Sequence, residues 1–101
     1  MYDVKPTSRF KRDLKNIQRR GYDLGLLTAV IKTLAAGEPL AEKHKDHALS
    51  GFWSKLRECH VTPDWLLIYK LENDVLVLIL TRTATQQSNA HSKRDSSIEF
   101  D

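Results

Sequence analysis

The chain has 101 residues, of which 41% are hydrophobic and 29% are charged. This length predicts one domain, and the composition is typical of an ordinary folded protein rather than a disordered or membrane-spanning one. The longest apolar run, Val75 to Leu80, is too short to cross a bilayer, and the N-terminus lacks the layout of a signal peptide. We therefore expect a cytoplasmic protein with no membrane partner, and the single Cys59, which cannot form an internal disulfide, fits a reducing compartment.

The net charge of +3 is unevenly distributed. The first 20 residues carry seven basic and two acidic side chains, a balance of +5, so the rest of the chain carries −2. A positive end favours a polyanionic partner, and nucleic acid is the commonest such partner for a small basic protein. A solvated helix surface is the simpler alternative. The candidate contact residues are Arg12, Lys15 and Arg19.

The first third of the sequence predicts a short strand and a hairpin of two amphipathic helices. Residues 2–5 alternate in character and precede Pro6, which favours a strand that stops there. Apolar residues then recur at spacings of three and four in two segments, which begin at the capping residues Ser8 and Asp23 and end at glycines. The apolar positions are Phe10, Leu14 and Ile17 in the first segment and Leu27, Val30, Ile31 and Leu34 in the second.

The rest of the chain predicts a surface loop, an antiparallel sheet and a tail. Residues 38–51 are charged and polar, as in a loop. Two of the strand segments are apolar at nearly every position, which suits strands covered on both faces, and the helices are expected to cover one of them. The domain is expected to span residues 1–85, and the polar residues 86–101 are expected to form a mobile tail. The predicted strands are 56–61, 65–71 and 75–83.

Three of the four histidines, both tryptophans and the only cysteine fall between residues 44 and 65. Cleaving RNA without a metal requires a base for the 2′-hydroxyl, an acid for the leaving 5′-oxygen and cations for the phosphate. His47 and His60 are the acid/base candidates, and Asp64 could orient one of them. The candidate phosphate ligands are Lys43, Lys45, Lys55, Arg57 and Arg82, and Trp53 and Trp65 are candidates for stacking on bases.

The same segment has two other interpretations. His44, His47, Cys59 and His60 are conceivable zinc ligands. Adjacent strand residues point to opposite faces, so Cys59 and His60 are not expected to share an ion, and we predict neither a metal nor another cofactor. Cys59 lacks the partner pattern of a nucleophile, and a buried core thiol is the simpler interpretation.

Two runs of residues carry a resemblance to a known family. KDHALSGFW, from Lys45 to Trp53, and LRECHVTPDWLLIY, from Leu56 to Tyr69, resemble the diagnostic segment of YafQ-like toxins in the RelE/ParE superfamily. The resemblance implies a RelE-like α+β fold, in which an N-terminal strand and a helical hairpin pack on a mostly antiparallel sheet. It also implies a ribosome-dependent mRNA endonuclease, the toxin of a bacterial type II toxin–antitoxin pair. The implied partners are a cognate antitoxin, mRNA in the ribosomal A site and ribosomal RNA.

The resemblance also implies roles for single residues. His47 and His60 match the two internal catalytic histidines of the family, and Asp64 matches the acid near them. Trp65 matches the aromatic residue that follows, and the basic positions of the cleft correspond to Arg57 and Arg82.

The C-terminus departs from the family's pattern. Where the family has Arg-Thr-Gly-Ser/Thr-His followed by Leu-Phe, a gapless pairing places Gln86 at the histidine assigned as general acid and Ala90 at the aromatic residue. Sliding by five residues would bring His91 there instead. Because glutamine cannot act as a proton donor to a leaving oxygen, we expect a weakened nuclease. The alternatives are a binding module that keeps antitoxin or ribosome binding, and a gyrase inhibitor as in ParE-like relatives.

Overall fold

The computed structural model describes residues 1–83, which form two helices and five strands. The helices are α1, Ser8–Arg19, and α2, Leu24–Ala35. The strands are β1, Asp3–Pro6; β2, His47–Ala48; β3, Arg57–Thr62; β4, Trp65–Glu72; and β5, Val75–Thr83. They make one sheet in the order β1-β5-β4-β3-β2, in which only the β1–β5 pair is parallel. The predicted α+β fold, a helical hairpin on a mostly antiparallel sheet, is therefore confirmed.

The cap of α1 differs from the prediction by one residue. The N-cap is Thr7, whose hydroxyl oxygen accepts a hydrogen bond from the Phe10 amide at 3.1 Å, and not Ser8. The same hydroxyl lies 2.9 Å from the carbonyl oxygens of Leu78 and Ile79 on β5. Thr7 therefore joins the start of the helix to the sheet, whereas Ser8 is exposed within the first helical turn.

The second helix begins and the first one ends as predicted. Asp23 accepts a hydrogen bond from the Gly25 amide at 2.9 Å and is the N-cap of α2. Gly21 follows α1 with a φ of +85°, a backbone conformation that glycine adopts without a Cβ clash.

The core lies between the helices and one face of the sheet. The predicted apolar stripes face it, since all but Leu14 and Ile31 of their members are buried and these two pack against it in part. The opposite face also holds buried residues, because Ile68 and its cross-strand partner Leu80 are only 2% and 0% exposed. The core consists of Phe10, Ile17, Leu27, Val30, Leu34, Cys59, Val61, Trp65, Leu67, Tyr69, Leu76 and Leu78.

The predicted surface loop contains more structure than its polar sequence indicated. Two single-turn 3-10 helices, Glu42–His44 and Gly51–Trp53, flank β2, which pairs with β3. A strand of two residues has no period for a pattern to reveal. No helix within residues 1–83 is long and apolar enough to span a membrane. The predicted tail, with Gln86 and His91, lies outside the described residues.

Candidate active site

His47 and His60 lie on one face of the sheet, the face turned away from the helices. His47 pairs with Glu58 across β2 and β3, and residues two apart on a strand, such as Glu58 and His60, share a face. Diagonal neighbours of this kind are about 7–8 Å apart. His60 pairs with Leu66, which pairs with Arg82 on β5. Arg82 therefore lies on the histidine face, two strands and about 10 Å of sheet from His60.

Both ring nitrogens of His47 face oxygen atoms. Nδ1 lies 2.7 Å from the carbonyl oxygen of Lys45, and Nε2 lies 3.2 Å from Oε1 of Glu58. A carbonyl and an ionised carboxylate only accept hydrogen bonds, so the ring bonds to both when both nitrogens carry hydrogen. The His47 side chain is 49% exposed and the Glu58 side chain is 17% exposed. The imidazole is therefore open to solvent, whereas its carboxylate partner is largely shielded.

His60 is held differently. Its Nδ1 lies 3.3 Å from the carbonyl oxygen of Pro63. Because this oxygen accepts, the proton of a neutral ring is placed on Nδ1, which leaves a lone pair on Nε2. The backbone carbonyl of His60 in turn contacts Nδ1 of His44 at 2.7 Å. Thus His60 is half-buried and held both at its ring and at its backbone carbonyl.

Asp64 follows β3 in the turn to β4 and is bonded on the side of the helices. Its two carboxylate oxygens accept hydrogen bonds from Thr62 at 2.9 Å and from the hydroxyl of Tyr22 at 3.5 Å. Among residues 1–83, no hydrogen bond or ion pair joins Asp64 to His47 or His60. The structure thus brings the two imidazoles to one face, whereas the Asp64 carboxylate bonds to Thr62 and to Tyr22 instead of to either histidine.

The predicted cationic residues do not gather on one surface. Arg82 is on the histidine face, whereas Arg57 lies opposite, where its Nε donates to Asp46 and Tyr69, each at 3.3 Å. The structure does not bring Arg57 together with the histidines. The exposed lysines of the loop region are Lys43, Lys45 and Lys55, and the exposed basic residues of α1 are Arg12, Lys15 and Arg19.

Trp65 lies in the core and not on the histidine face. Its ring is 0% exposed, packs edge-to-face on Tyr22 with centroids 5.2 Å apart, and donates from Nε1 to the Thr81 hydroxyl at 2.9 Å. A ring without exposed surface cannot stack on a base, so the prediction of Trp65 as an RNA-binding residue is wrong. Trp53 is half-buried and packs edge-to-face on the 89% exposed Phe52.

The described residues do not support the zinc interpretation. Within residues 1–83, no three His, Cys, Asp or Glu side chains are close enough to hold a metal ion. Cys59 is fully buried on the helix-covered face, opposite His60. Burial, together with the charges of Asp46 and Glu58, raises the pKa of its thiol to about 12. This thiol is a core residue, as predicted, and has the low nucleophilicity of a buried, protonated sulfur.

Comparison with known proteins identifies the class of protein to which this chain, with its fold and its pair of histidines, belongs. The chain matches the family model "Bacterial toxin of type II toxin-antitoxin system, YafQ" over residues 2–91. It is 37% identical over 75 residues to the mRNA interferase toxin YafQ of Escherichia coli K12. This match covers 73% of this chain and 82% of that protein. The chain therefore belongs to the YafQ family of type II toxin–antitoxin toxins, as the sequence motifs indicated.

Solved structures agree with this assignment. A copper-bound mutant toxin from Helicobacter pylori superposes with a TM-score of 0.81 at 34% identity, over 86% of this chain and 99% of that one. YafQ in the DinJ–YafQ complex of Escherichia coli superposes with a TM-score of 0.78 at 33% identity, over 88% and 100% of the two chains.

Sequence reasoning missed three contributors to the site. Glu58 contacts His47 across the strands, Tyr22 contacts Asp64 from the connection between α1 and α2, and Asp46 bonds to buried Tyr69. Only the first had a signal in the sequence, because an acidic residue two positions before His60 in a predicted strand must share its face.

Proposed function

We propose that this chain is a ribosome-dependent mRNA endonuclease that cleaves by histidine acid/base catalysis. The observation that carries the proposal is that His47 and His60, on neighbouring strands, share one face of the sheet with Arg82. Two imidazoles on diagonal positions, which in a sheet are about 7–8 Å apart, can flank one phosphodiester, and a guanidinium on the same face can neutralise its charge. Membership of a family with an mRNA interferase supports RNA over gyrase as the target.

His60 is the proposed general base. Its Nδ1 is directed at the Pro63 carbonyl, so a neutral ring presents the Nε2 lone pair to an RNA 2′-hydroxyl. The base removes the 2′-proton while the 2′-oxygen attacks the adjacent phosphorus. The bond from phosphorus to the 5′-oxygen then breaks, which leaves a 2′,3′-cyclic phosphate on one fragment and a 5′-oxygen that needs a proton on the other.

His47 is the proposed general acid. The ring that donates to both Lys45 and Glu58 carries two N–H groups, and the Nε2 proton can pass to the leaving 5′-oxygen. Glu58 holds the imidazole in place until RNA displaces it. A gapless pairing places a glutamine at position 86, where the family's histidine is expected, and we therefore assign the acid to His47. Arg82 stabilises the charge on the phosphate, and Asp64, which bonds to Thr62 and Tyr22, takes no proton-transfer step in this proposal.

The exposed basic residues of α1 form a separate surface. Since α1 packs on the opposite side of the sheet from the histidines, Arg12, Lys15 and Arg19 cannot reach the same phosphate as His60. We assign them to ribosomal RNA, with mRNA in the A site meeting the histidine face. The antitoxin partner follows from the solved DinJ–YafQ complex of a relative, and we propose a cognate antitoxin in the cytoplasm for this chain.

The test of the mechanism uses mRNA cleavage in a translating extract. His47→Ala and His60→Ala should each lower the cleavage rate by about 10²–10⁴, whereas Lys32→Ala, an exposed change on α2, should not. An mRNA with sulfur in place of the bridging 5′-oxygen at the cut site needs no general acid. That substrate should restore cleavage by His47→Ala but not by His60→Ala. Equal rescue of both variants would contradict the assignment of acid and base.

The second candidate is a binding module that keeps the antitoxin and ribosome but no longer cuts. The observation that favours it is glutamine at position 86, which cannot donate a proton as an acid. Gln86→His, with Ala90→Phe if needed, distinguishes the two. A gain in cleavage from an undetectable wild-type rate supports the binding module. Cleavage by the wild type that Gln86→His leaves unchanged supports His47 as the acid.

A further inference from the structure

β2, which carries His47, has little of its own to hold it in place. The strand has two residues and two register pairs, His47 with Glu58 and Ala48 with Arg57, at an edge of the sheet. Both of its residues are exposed. Lys45, just before it, has a φ of +47°, a conformation that lysine seldom adopts unless its surroundings impose it. Contacts outside the strand must therefore fix its position.

Those contacts are made by the residue between Lys45 and His47. Asp46 Oδ1 accepts a hydrogen bond from the hydroxyl of Tyr69 at 2.6 Å and another from Nε of Arg57 at 3.3 Å. The Arg57 Nε also lies 3.3 Å from the Tyr69 oxygen, so the three side chains form a closed triangle. Bonds from a hydroxyl or a guanidinium to a carboxylate are among the strong ones in proteins.

The triangle is held in place because its members come from three parts of the fold: the loop before β2, strand β3 and strand β4. Tyr69 is 1% exposed, with its ring in the core, and pairs with Arg57 across β3 and β4. Burial, followed by the hydrogen bond to Asp46, raises the pKa of Tyr69, so its hydroxyl stays a donor throughout the physiological range. Asp46 is thus tied to the centre of the sheet.

We propose that Asp46, Arg57 and Tyr69 form a β2 anchor that positions His47 for catalysis from the opposite face of the sheet. The inference rests on the proposed function, because it gives a role to the placing of His47. These are positioning residues, since the anchor contacts the helix side while His47, the next residue along the chain, faces the other way. The β2 anchor also gives Arg57 a structural role in place of the predicted role as a phosphate ligand.

The first test needs no RNA. Tyr69→Phe removes one hydroxyl from the anchor. Tyr2 lines the same surface hollow as the three anchor residues, so Tyr2→Phe, which also removes one hydroxyl, is the matched control. In NMR spectra of the purified proteins, Tyr69→Phe should shift the His47 ring resonances. It should also speed exchange of the Leu49 amide, which bonds the Leu56 carbonyl beside β2, by tenfold or more.

The Thr7 amide, bonded to the Leu78 carbonyl far from the anchor, should exchange as in the wild type. Unchanged His47 resonances and Leu49 exchange in Tyr69→Phe would overturn the inference whether or not the protein cuts RNA. If Tyr69→Phe does not fold, Asp46→Ala, at a partly exposed site, decides by the same two signals.

The second test uses cleavage kinetics. Tyr69→Phe and Asp46→Ala should each lower kcat by about 10- to 100-fold and change KM by less than threefold, because the RNA-binding surface is intact and the acid is misplaced. Asp46→Glu, which keeps the carboxylate, should recover part of kcat. A wild type that does not cut would refute the proposed function while the NMR test still decides on the anchor. Loss of kcat with unmoved His47 signals would refute the anchor alone.

Discussion

His47 and Glu58 face each other across β2 and β3, with Nε2 of the imidazole 3.2 Å from Oε1 of the carboxylate. The pair lies on the face of the sheet turned away from the helices, and Glu58 is two residues before His60 on β3. An acidic partner for a histidine in an RNA site is costly for phosphate binding, because like charges repel. Its presence is explained if the imidazole must be held as a double donor before RNA arrives.

Glu58→Gln is expected to lower the cleavage rate about 10- to 100-fold, less than the loss of a general acid itself. The amide of glutamine can donate to Nε2 and so favour the ring form with no proton to give there. Cleavage of a defined mRNA in translating extract measures the rate. Glu72→Gln, an exposed carboxylate paired with Lys70 at 3.2 Å, is the control. A rate within twofold of the wild type would exclude Glu58 from the mechanism.

Cys59→Ala should flatten the alkaline dependence of the free energy of unfolding. Burial raises the pKa of the thiol from 9.0 to about 12, so above pH 9 the unfolded chain loses a proton that the folded chain keeps. Stability from this group is complete below pH 9 and declines by about 1.4 kcal/mol per pH unit as the pH rises toward 12.

Urea unfolding of the wild type and Cys59→Ala at pH 8, 9.5 and 10.5 measures the difference. At pH 8 the free energy of unfolding should be larger for the wild type than for Cys59→Ala. This difference should shrink as the pH rises, so that the two plots of unfolding free energy against pH converge. Parallel curves would show that the folded thiol titrates like an unfolded one.

Trp65→Phe is expected to destabilise the fold by about 2 kcal/mol or more and to leave RNA affinity per folded molecule unchanged. The variant leaves a void in the core and removes the donor to the Thr81 hydroxyl, which itself donates to the Leu66 carbonyl. Urea unfolding and RNA binding at a temperature where both proteins are folded separate the two effects. Weaker binding at unchanged stability would restore Trp65 to the RNA site.

Replacing Arg12, Lys15 and Arg19 by glutamine should weaken ribosome binding and its salt dependence together. Each lost phosphate contact lowers the slope of log affinity against log salt by about 0.7–0.9. Ribosome binding measured from low to physiological salt gives the slope. The exposed Lys32→Gln on α2 is the control, and all variants should keep wild-type stability within about 0.5 kcal/mol per substitution. An unchanged slope would place the ribosome contact elsewhere.

Much of the fold was predictable because buried positions repeat along the chain. Phe10 and Ile17 are seven residues apart in α1 and lie on the one side of that helix that is covered. Leu27 belongs to the corresponding apolar stripe of α2. Residues 75–83 were predicted as a strand with the same limits as β5. The two-residue β2 was not predictable, since two residues show no period, and the neighbouring Asp46 bonds to Tyr69, which is 23 positions further along the chain.

The chemical types of the site were predictable, but its geometry only in part. His47 and His60 stand out by residue type and by resemblance to the family, and their catalytic roles stay predictions. Alternation along the predicted strand 56–61 already separates Arg57 from His60, because residues three positions apart on a strand point to opposite faces. The sequence does not say which of the two faces the helices cover; the core contacts show that it is the face of Arg57.

The parallel pairing of β1 with β5 joins residues 72 positions apart, as in Asp3 with Val75. The first strand emerges from a ribosome long before β5, its neighbour in the sheet, exists. Closure of the sheet must wait until β5 has left the exit tunnel. A nascent chain therefore holds β1 unpaired with β5 while the whole segment between them is made.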